Sequence, residues 1–137
     1  MSDRGTWKLA GQGALAGIVW RAVEPALRRV FGHPYSDPEL ATAFITRGRW
    51  QIPLDYVVQA TGGAAFAVVF RRHLWPAILL ENAALLAASP LVDRIHPDVR
   101  DGTWPPLTGN ARAAGVSVSG HVLYAAILSL IHTEPPS

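Results

Sequence analysis

Four apolar stretches, separated by polar segments, constrain this 137-residue chain more than any other feature of its sequence. They cover residues 9–31, 52–70, 74–92 and 113–131. Each is close to the roughly 20 residues that an α-helix needs to cross the hydrocarbon core of a bilayer. We therefore predict an all-α fold, in which residues 1–137 form one integral membrane bundle of about four transmembrane helices. A soluble bundle of buried helices is the alternative, although apolar runs of this length are more typical of spans.

Composition supports a membrane location and excludes several classes of function. Only 16% of the residues are charged, against roughly a quarter in a typical soluble domain. The net charge of +2, without a block of lysine or arginine, predicts that the chain does not bind nucleic acid. The absence of cysteine excludes disulfides, thiolate metal sites and cysteine nucleophiles. Tryptophans stand at or just beyond span ends, where the indole prefers the membrane interface: Trp7, Trp50, Trp75 and Trp104.

The first apolar stretch is the least regular of the four. It contains Gln12, Arg21, Glu24 and Pro25. One interpretation is a cleavable signal peptide with an apolar core over residues 9–19, but Gln12 interrupts that core. The preferred interpretation is a transmembrane helix kinked at Pro25, where proline removes a backbone hydrogen bond.

The connections predict how the helices are arranged. Only Arg71, Arg72 and His73 separate the second and third stretches, so we expect these helices to be antiparallel neighbours. In the first long loop, Ser36 and Glu39 have the spacing of a capping box. This predicts a short interfacial helix that extends to about residue 46. The second long loop, residues 93–112, is rich in turn signals and is predicted to be irregular.

Each predicted span carries at least one ionisable residue well inside it, and the four that stand out are Glu24, Asp55, Glu81 and His121. A charged group in mid-bilayer costs roughly 2.5–3.5 kcal/mol, so these side chains should face one another or water. At helical spacing each shares a face with small residues, which allow transmembrane helices to approach closely. We therefore predict a shared polar interior, and these four residues are the candidate catalytic set. Glu81 is expected to be the most desolvated of them.

Two interpretations of this polar interior remain open. A carboxyl group beside an imidazole can exchange protons, which predicts a proton-handling or ligand-binding centre. Alternatively, the same groups only hydrogen-bond the helices together. Small residues predicted to contact other helices are Gly13, Gly17, Gly62 and Ala84.

Two weaker hypotheses concern metals and cofactors. Asp93, His96 and Asp98 have oxygen and imidazole ligands of the kind that bind a divalent cation, although a solvated loop is the preferred interpretation. His121, preceded by a glycine, is a weak candidate for an axial ligand to a haem or chlorophyll. Glycine-rich phosphate loops and zinc-protease helices are absent from the sequence.

Two segments resemble parts of small multi-span bacterial inner-membrane proteins of the YagU-like kind. They are residues 13–17 leading to Glu24 and Pro25, and residues 120–124 in the last span. The resemblance implies a helical fold in the plasma (inner) membrane and no particular activity. We expect a non-catalytic accessory subunit that packs with other membrane subunits, or with itself, in the lipid bilayer. The alternative is a membrane-embedded enzyme or proton-coupled carrier that uses the intramembrane carboxylates and histidine.

Overall fold

The computed structural model describes residues 2–132, and the regular elements in that range are all helices, as predicted. In chain order the helices are α1 (Asp3–Phe31), α2 (Asp37–Thr42), α3 (Gln51–Val69), α4 (Leu74–Ala87), α5 (Ser89–Ile95), α6 (Pro97–Arg100) and α7 (Ala111–Ile131).

Two of the helices, α3 and α7, are long and apolar enough to cross a membrane. A third candidate span is the pair α4 and α5, which is bent by 53° at its break. Pro90 explains the bend, because it has no backbone N–H to donate to the carbonyl of Leu86. The sequence predicts one continuous span over residues 74–92, and the break between α4 and α5 departs from that prediction. Helix α1, with 29 residues, is long enough to cross a membrane but is too polar to be among these candidates.

Helix α1 runs through Pro25 as a single helix and ends at Gly32. Gly32 has a φ of 65°, a left-handed conformation that glycine adopts without strain. Its backbone N–H donates to the carbonyl of Arg28, which satisfies one of the last free carbonyls of the helix. The proline is therefore accommodated within one helix and does not divide it.

Helix α1 lies between α3 and α7 and contacts both along its length. Against α3, Gly13 meets the backbone of Gly63, and Gly17 meets the carbonyl of Gln59 so closely that an added Cβ would overlap it. The predicted contacts of Gly13 and Gly17 are thus confirmed. The prediction for Gly62 is wrong, because Gly63, one position further round the helix, faces α1 while Gly62 is exposed.

Glycines also shape the contact between α1 and α7. The indole of Trp20 occupies the space left by Gly120, and the ring of Phe31 occupies the space left by Gly115. At the other end, the side-chain amide of Gln12 donates to the carbonyl of Ile131 at 2.8 Å. These contacts fix α7 in register against α1.

Helix α4 packs on α7 and makes few contacts with α3, although only a short turn connects α3 to α4. The prediction that these two helices pack as antiparallel neighbours is therefore wrong. Ala84 is exposed, also against expectation, because the face of α4 that meets α7 carries Ile78 and Asn82. A cleft consequently opens between α3 and α4.

The capping box of the first long loop is confirmed, since Ser36 accepts a hydrogen bond from the backbone N–H of Glu39. Helix α2 ends at Thr42, before the predicted residue 46. The second long loop is more ordered than predicted, since it contains the end of α5 and all of α6. The two loops are joined by an ion pair of 2.7 Å between Arg47 and Asp98.

A stack of aromatic rings reinforces the contact between the loops. The ring of His96 lies parallel to that of Trp104, with centroids 4.4 Å apart, and Tyr35 packs on the same tryptophan. His96 Nε2 is 2.9 Å from the carbonyl oxygen of Leu40, so Nε2 donates to it, and Nδ1 accepts from the N–H of Asp98. This packing holds the first long loop against the second.

Candidate functional site

His121 lies at the centre of the polar interior, on the face of α7 that meets α1 and α4, and is 1% exposed. Its Nδ1 is 2.7 Å from the carbonyl oxygen of Ser117, one turn earlier. Because a carbonyl can only accept, Nδ1 carries the hydrogen of this bond. The other ring nitrogen, Nε2, has no hydrogen-bond partner among residues 2–132. Nε2 is therefore the nitrogen at which a neutral His121 can gain a proton.

Glu81 faces that nitrogen from α4. Its Oε2 is 3.7 Å from His121 Nε2, and its side chain is 46% exposed. The expectation that Glu81 is the most desolvated of the four is wrong, because α4 contacts α7 on one side only and Glu81 borders the cleft. Neighbouring Asn82 also lies against His121, with its Nδ2 3.1 Å from Nδ1. Asn82 donates to the hydroxyl of Ser117 at 2.8 Å.

Asp37 approaches the same histidine from the first long loop. Its Oδ2 is 3.7 Å from His121 Nδ1, and the side chain is 6% exposed. Its other oxygen accepts hydrogen bonds from the hydroxyl of Tyr35 and, at 3.1 Å, from that of Ser117. Burial raises the pKa of Asp37, while His121 and these two hydroxyls partly oppose the rise. Burial also raises the pKa of Tyr35 well above its usual value, so Tyr35 remains a donor.

Glu24 is fully buried and joins this group through Trp20. The indole N–H of Trp20 donates to Glu24 Oε2 at 3.0 Å, and the ring centroids of Trp20 and His121 are 4.8 Å apart. Arg28 lies 3.9 Å from the other oxygen of Glu24 and forms a 2.7 Å ion pair with Glu39. We call Glu24, Asp37, Glu81 and His121 the polar centre.

Asp55 is also fully buried, but it belongs to a separate ion pair. Its Oδ2 is 3.2 Å from Arg21 Nε, and its Oδ1 accepts a hydrogen bond from Thr42. These contacts join α1, α2 and α3. Within the described part of the chain, Asp55 has no hydrogen bond or ion pair with His121. Asp55 therefore holds the helices together and lies apart from the polar centre.

Two cavities lie between α3 and α4. The first, of about 120 Å³, is lined by Glu81 and by the rings of Trp20, Phe66 and Tyr124, among others. The second, of about 360 Å³, lies at the turn that joins these helices and is bordered by Arg71, Arg72 and His73. Glu81 thus borders the first cavity and is not among the residues that line the second.

The three candidate metal ligands have other partners in the structure. Asp93 accepts hydrogen bonds from the backbone of Leu107 and from Thr108, His96 bonds the carbonyl of Leu40, and Asp98 pairs with Arg47. Over residues 2–132, no group of three or more histidine, aspartate and glutamate residues could hold a metal ion. Their positions match a role in joining the loops.

The sequence predicts interior positions for Glu24, Asp55, Glu81 and His121, but it does not predict that Asp37 lies beside His121 or that Arg21 pairs with Asp55. Asp37 follows the N-cap Ser36 and has the pattern of an ordinary solvated helix start. Nothing in the local sequence indicates that this loop folds back onto α7. Ser117 and His121 are four residues apart and therefore lie on one face of a helix. This spacing could have predicted the hydrogen bond between His121 Nδ1 and the carbonyl of Ser117.

No protein-family model, curated protein or solved structure matches the chain. The resemblance to YagU-like proteins stays a prediction, and the function is inferred from the geometry alone.

Proposed function

We propose that this chain is a four-span protein of the bacterial plasma membrane that acts as a small proton-coupled carrier through its polar centre. The observation that carries the proposal is the position of His121 between two carboxyl groups. Nε2 faces Glu81 in the cleft, and Nδ1 lies beside Asp37 at the long-loop end, each at 3.7 Å. An imidazole in this position can receive a proton on one nitrogen and release one from the other.

The balance of charges supports proton storage. The polar centre holds three carboxyl groups, those of Glu24, Asp37 and Glu81, and the nearby guanidinium group of Arg28 is shared with Glu39. Carboxylates packed closely away from water cannot all be ionised, because each charge disfavours the next. At least one proton is therefore shared within the polar centre.

The path of a proton can be followed atom by atom. The proton leaves Glu81 Oε2 for His121 Nε2, which makes an imidazolium that still donates from Nδ1. The proton on Nδ1 then turns from the carbonyl of Ser117 to Asp37 Oδ2, and His121 returns to neutral. Contacts of 3.7 Å are longer than hydrogen bonds, so each step needs a side-chain rotation or a bridging water. The half-exposed Glu81 is free to make the first of these rotations.

The alternative function is a non-catalytic subunit of a larger membrane complex. It is supported by the outer face of α4, where Leu79 and Leu80 are exposed and α4 has only one neighbouring long helix. Lipid would cover the same face, so this observation does not distinguish a partner protein from the bilayer. The cleft that reaches Glu81 favours the carrier, because a subunit with only a packing role gains nothing from an open polar interior.

Proton uptake by the purified protein tests the proposal. We would acidify the protein in an uncharged detergent from about pH 8 to pH 5 and measure bound protons with a soluble indicator. Glu81→Gln and His121→Asn should each reduce uptake by up to about one proton, and their effects should not add in the double variant, because coupled groups titrate together. Asp3→Asn, which removes an exposed carboxyl group on α1, serves as the control for the loss of an isolated carboxylate.

Circular dichroism and gel filtration establish that each variant is folded before its uptake is compared. Glu81→Gln is well suited to the test because Glu81 is half-exposed and forms no hydrogen bond within residues 2–132. Additive effects, or uptake by both variants that equals the wild-type value, would show that the polar centre does not exchange protons.

A further inference from the structure

The first cavity between α3 and α4 is lined by groups that attract positive charge. The rings of Trp20, Phe66 and Tyr124 border it, with the centroid of Tyr124 6.3 Å from that of Trp20 and 6.0 Å from that of Phe66. Glu81 is the only acidic or basic side chain in this lining, and neither lysine nor arginine belongs to it. Aromatic faces and a carboxylate both attract positive charge.

The hydrogen-bond donors of the aromatic residues are already used. The indole N–H of Trp20 donates to Glu24, and the hydroxyl of Tyr124 donates to the carbonyl of Gly63 at 2.6 Å. In this lining, the polar side-chain groups still free to contact a ligand are the carboxyl group of Glu81 and the amide of Gln59. A negatively charged ligand would therefore lie beside the carboxyl group of Glu81. A ligand with a positive charge would meet Glu81 and three aromatic rings.

We infer that this cavity binds the ammonium headgroup of an amphiphilic organic cation, which enters laterally between α3 and α4. This inference rests on the proposed function and names the substrate class of the same site. The volume of about 120 Å³ is below the roughly 300–1,000 Å³ of sites that enclose drug-sized ligands. Only the headgroup fits, so the alkyl part of the ligand stays between the two helices or in the bilayer. A divalent metal ion fits poorly, because it requires several oxygen ligands and the lining has one carboxylate.

Binding should release a proton. The titratable groups that face Glu81 are His121 and Tyr124 on α7 and Asp37 from the first long loop. The cation pairs with the ionised form of Glu81, whose proton passes to His121 Nε2. An imidazolium beside the bound cation is repelled, so the proton continues to Asp37 and leaves at the long-loop end. One cation bound is thus exchanged for one proton.

Calorimetry with octyltrimethylammonium tests the inference. The full chain is titrated in an uncharged maltoside detergent, in two buffers of different ionisation enthalpy, so that heat and proton release are measured together. Controls are the uncharged isostere, in which carbon replaces the nitrogen, and octyl sulfate. We expect the cation to bind in preference to both, with release of a proton.

Two variants locate the site. Glu81→Gln should weaken binding at least tenfold, and Phe66→Leu should weaken it roughly three- to tenfold through loss of one cation–π contact. Asp3→Asn and Phe44→Leu remove a carboxylate and an aromatic ring outside the cavity and should bind like the wild type.

The outcomes separate this inference from the proposed function. Equal binding of the uncharged isostere, or binding unaffected by Glu81→Gln, would overturn the ligand class. Absence of cation binding in a protein whose proton uptake depends on Glu81 and His121 would overturn the inference and leave the proposed function intact. Cation binding without proton release would support the site and overturn its coupling to protons.

Discussion

His121 Nδ1 lies 2.7 Å from the carbonyl oxygen of Ser117, four residues earlier in the same helix. This bond fixes the neutral tautomer of the ring and leaves Nε2 facing Glu81. It also places Asn82 as a donor to the Ser117 hydroxyl, since Nδ1 has no lone pair left to accept from it. The arrangement of the polar centre depends on this one backbone contact.

The tautomer of His121 can be measured directly. Nitrogen NMR of protein labelled at histidine should show His121 protonated at Nδ1 in its neutral form, with His121→Asn used to assign the signals. The hydrogen on Nδ1 is expected because a carbonyl oxygen cannot donate. A neutral ring protonated at Nε2 would contradict the proposed route, since Nε2 could not then accept a proton from Glu81.

Close packing of α1 on α3 predicts a large difference between two glycines of one helix. A Cβ at Gly17 would overlap the carbonyl of Gln59, whereas nothing lies within 4 Å of a Cβ at Gly11. Gly17→Ala should therefore destabilise the protein by about 1–3 kcal/mol, the usual cost of overpacking. Gly11→Ala is the matched control and should be neutral or stabilising, by up to about 1 kcal/mol. Thermal melting in detergent compares them, and equal melting temperatures would show that the helices are not in contact at Gly17.

Loss of Asp55 should affect stability and leave proton uptake by the polar centre in place. Asp55→Asn leaves Arg21 buried without its anionic partner, and breaking a buried ion pair costs roughly 3–5 kcal/mol. Replacing both residues with apolar ones, as Arg21→Met with Asp55→Leu, should recover much of this loss. The free energy of unfolding in detergent is the measurement. A single variant as stable as the wild type would show that the pair is not buried.

His33 should make the protein less stable in mild acid. Its pKa is lowered by burial and by the nearby charge of Arg112. The unfolded chain therefore binds a proton at His33 before the folded chain does. As the pH falls below the ordinary value of 6.5, the free energy of unfolding decreases, until the folded-state histidine is protonated as well.

His33→Asn isolates this contribution. The asparagine oxygen can replace Nδ1, which accepts a hydrogen bond from the N–H of Tyr35 at 2.9 Å. Unfolding measured across the pH range below 6.5 should show a weaker pH dependence in the variant than in the wild type. Identical slopes would mean that His33 is not desolvated in the folded protein.

The long helices and the α2 cap could be predicted because they depend on local patterns. The positions of α3, α7 and the Ser36 cap follow from apolar periodicity and from one short motif. The separation of α3 from α4 could not be predicted, because a short turn fixes connectivity and leaves the angle between helices to their other neighbours. The choice of Gly63 over Gly62 depends on a rotation of about 100° between adjacent residues, which the pattern of small residues does not resolve.

The candidate site was only partly predictable for a similar reason. Glu81 and His121 were identified because an ionisable residue inside an apolar run is conspicuous at the level of sequence. Asp37 was not, because its role depends on the position of the first long loop, which is held by the contacts of His96 with Leu40 and of Tyr35 with Trp104. These are contacts between residues distant in the chain, and no local motif encodes them.

Infrared difference spectra recorded between mildly acidic and neutral pH test the exchange of a proton by Glu81 most directly. The account predicts a carboxylic acid band that changes with pH in the wild type and is lost in Glu81→Gln. The pH at which that band changes should differ in His121→Asn, because the two groups share a proton. An identical band in all three proteins would contradict the account, since neither Glu81 nor His121 would then take part in the titration.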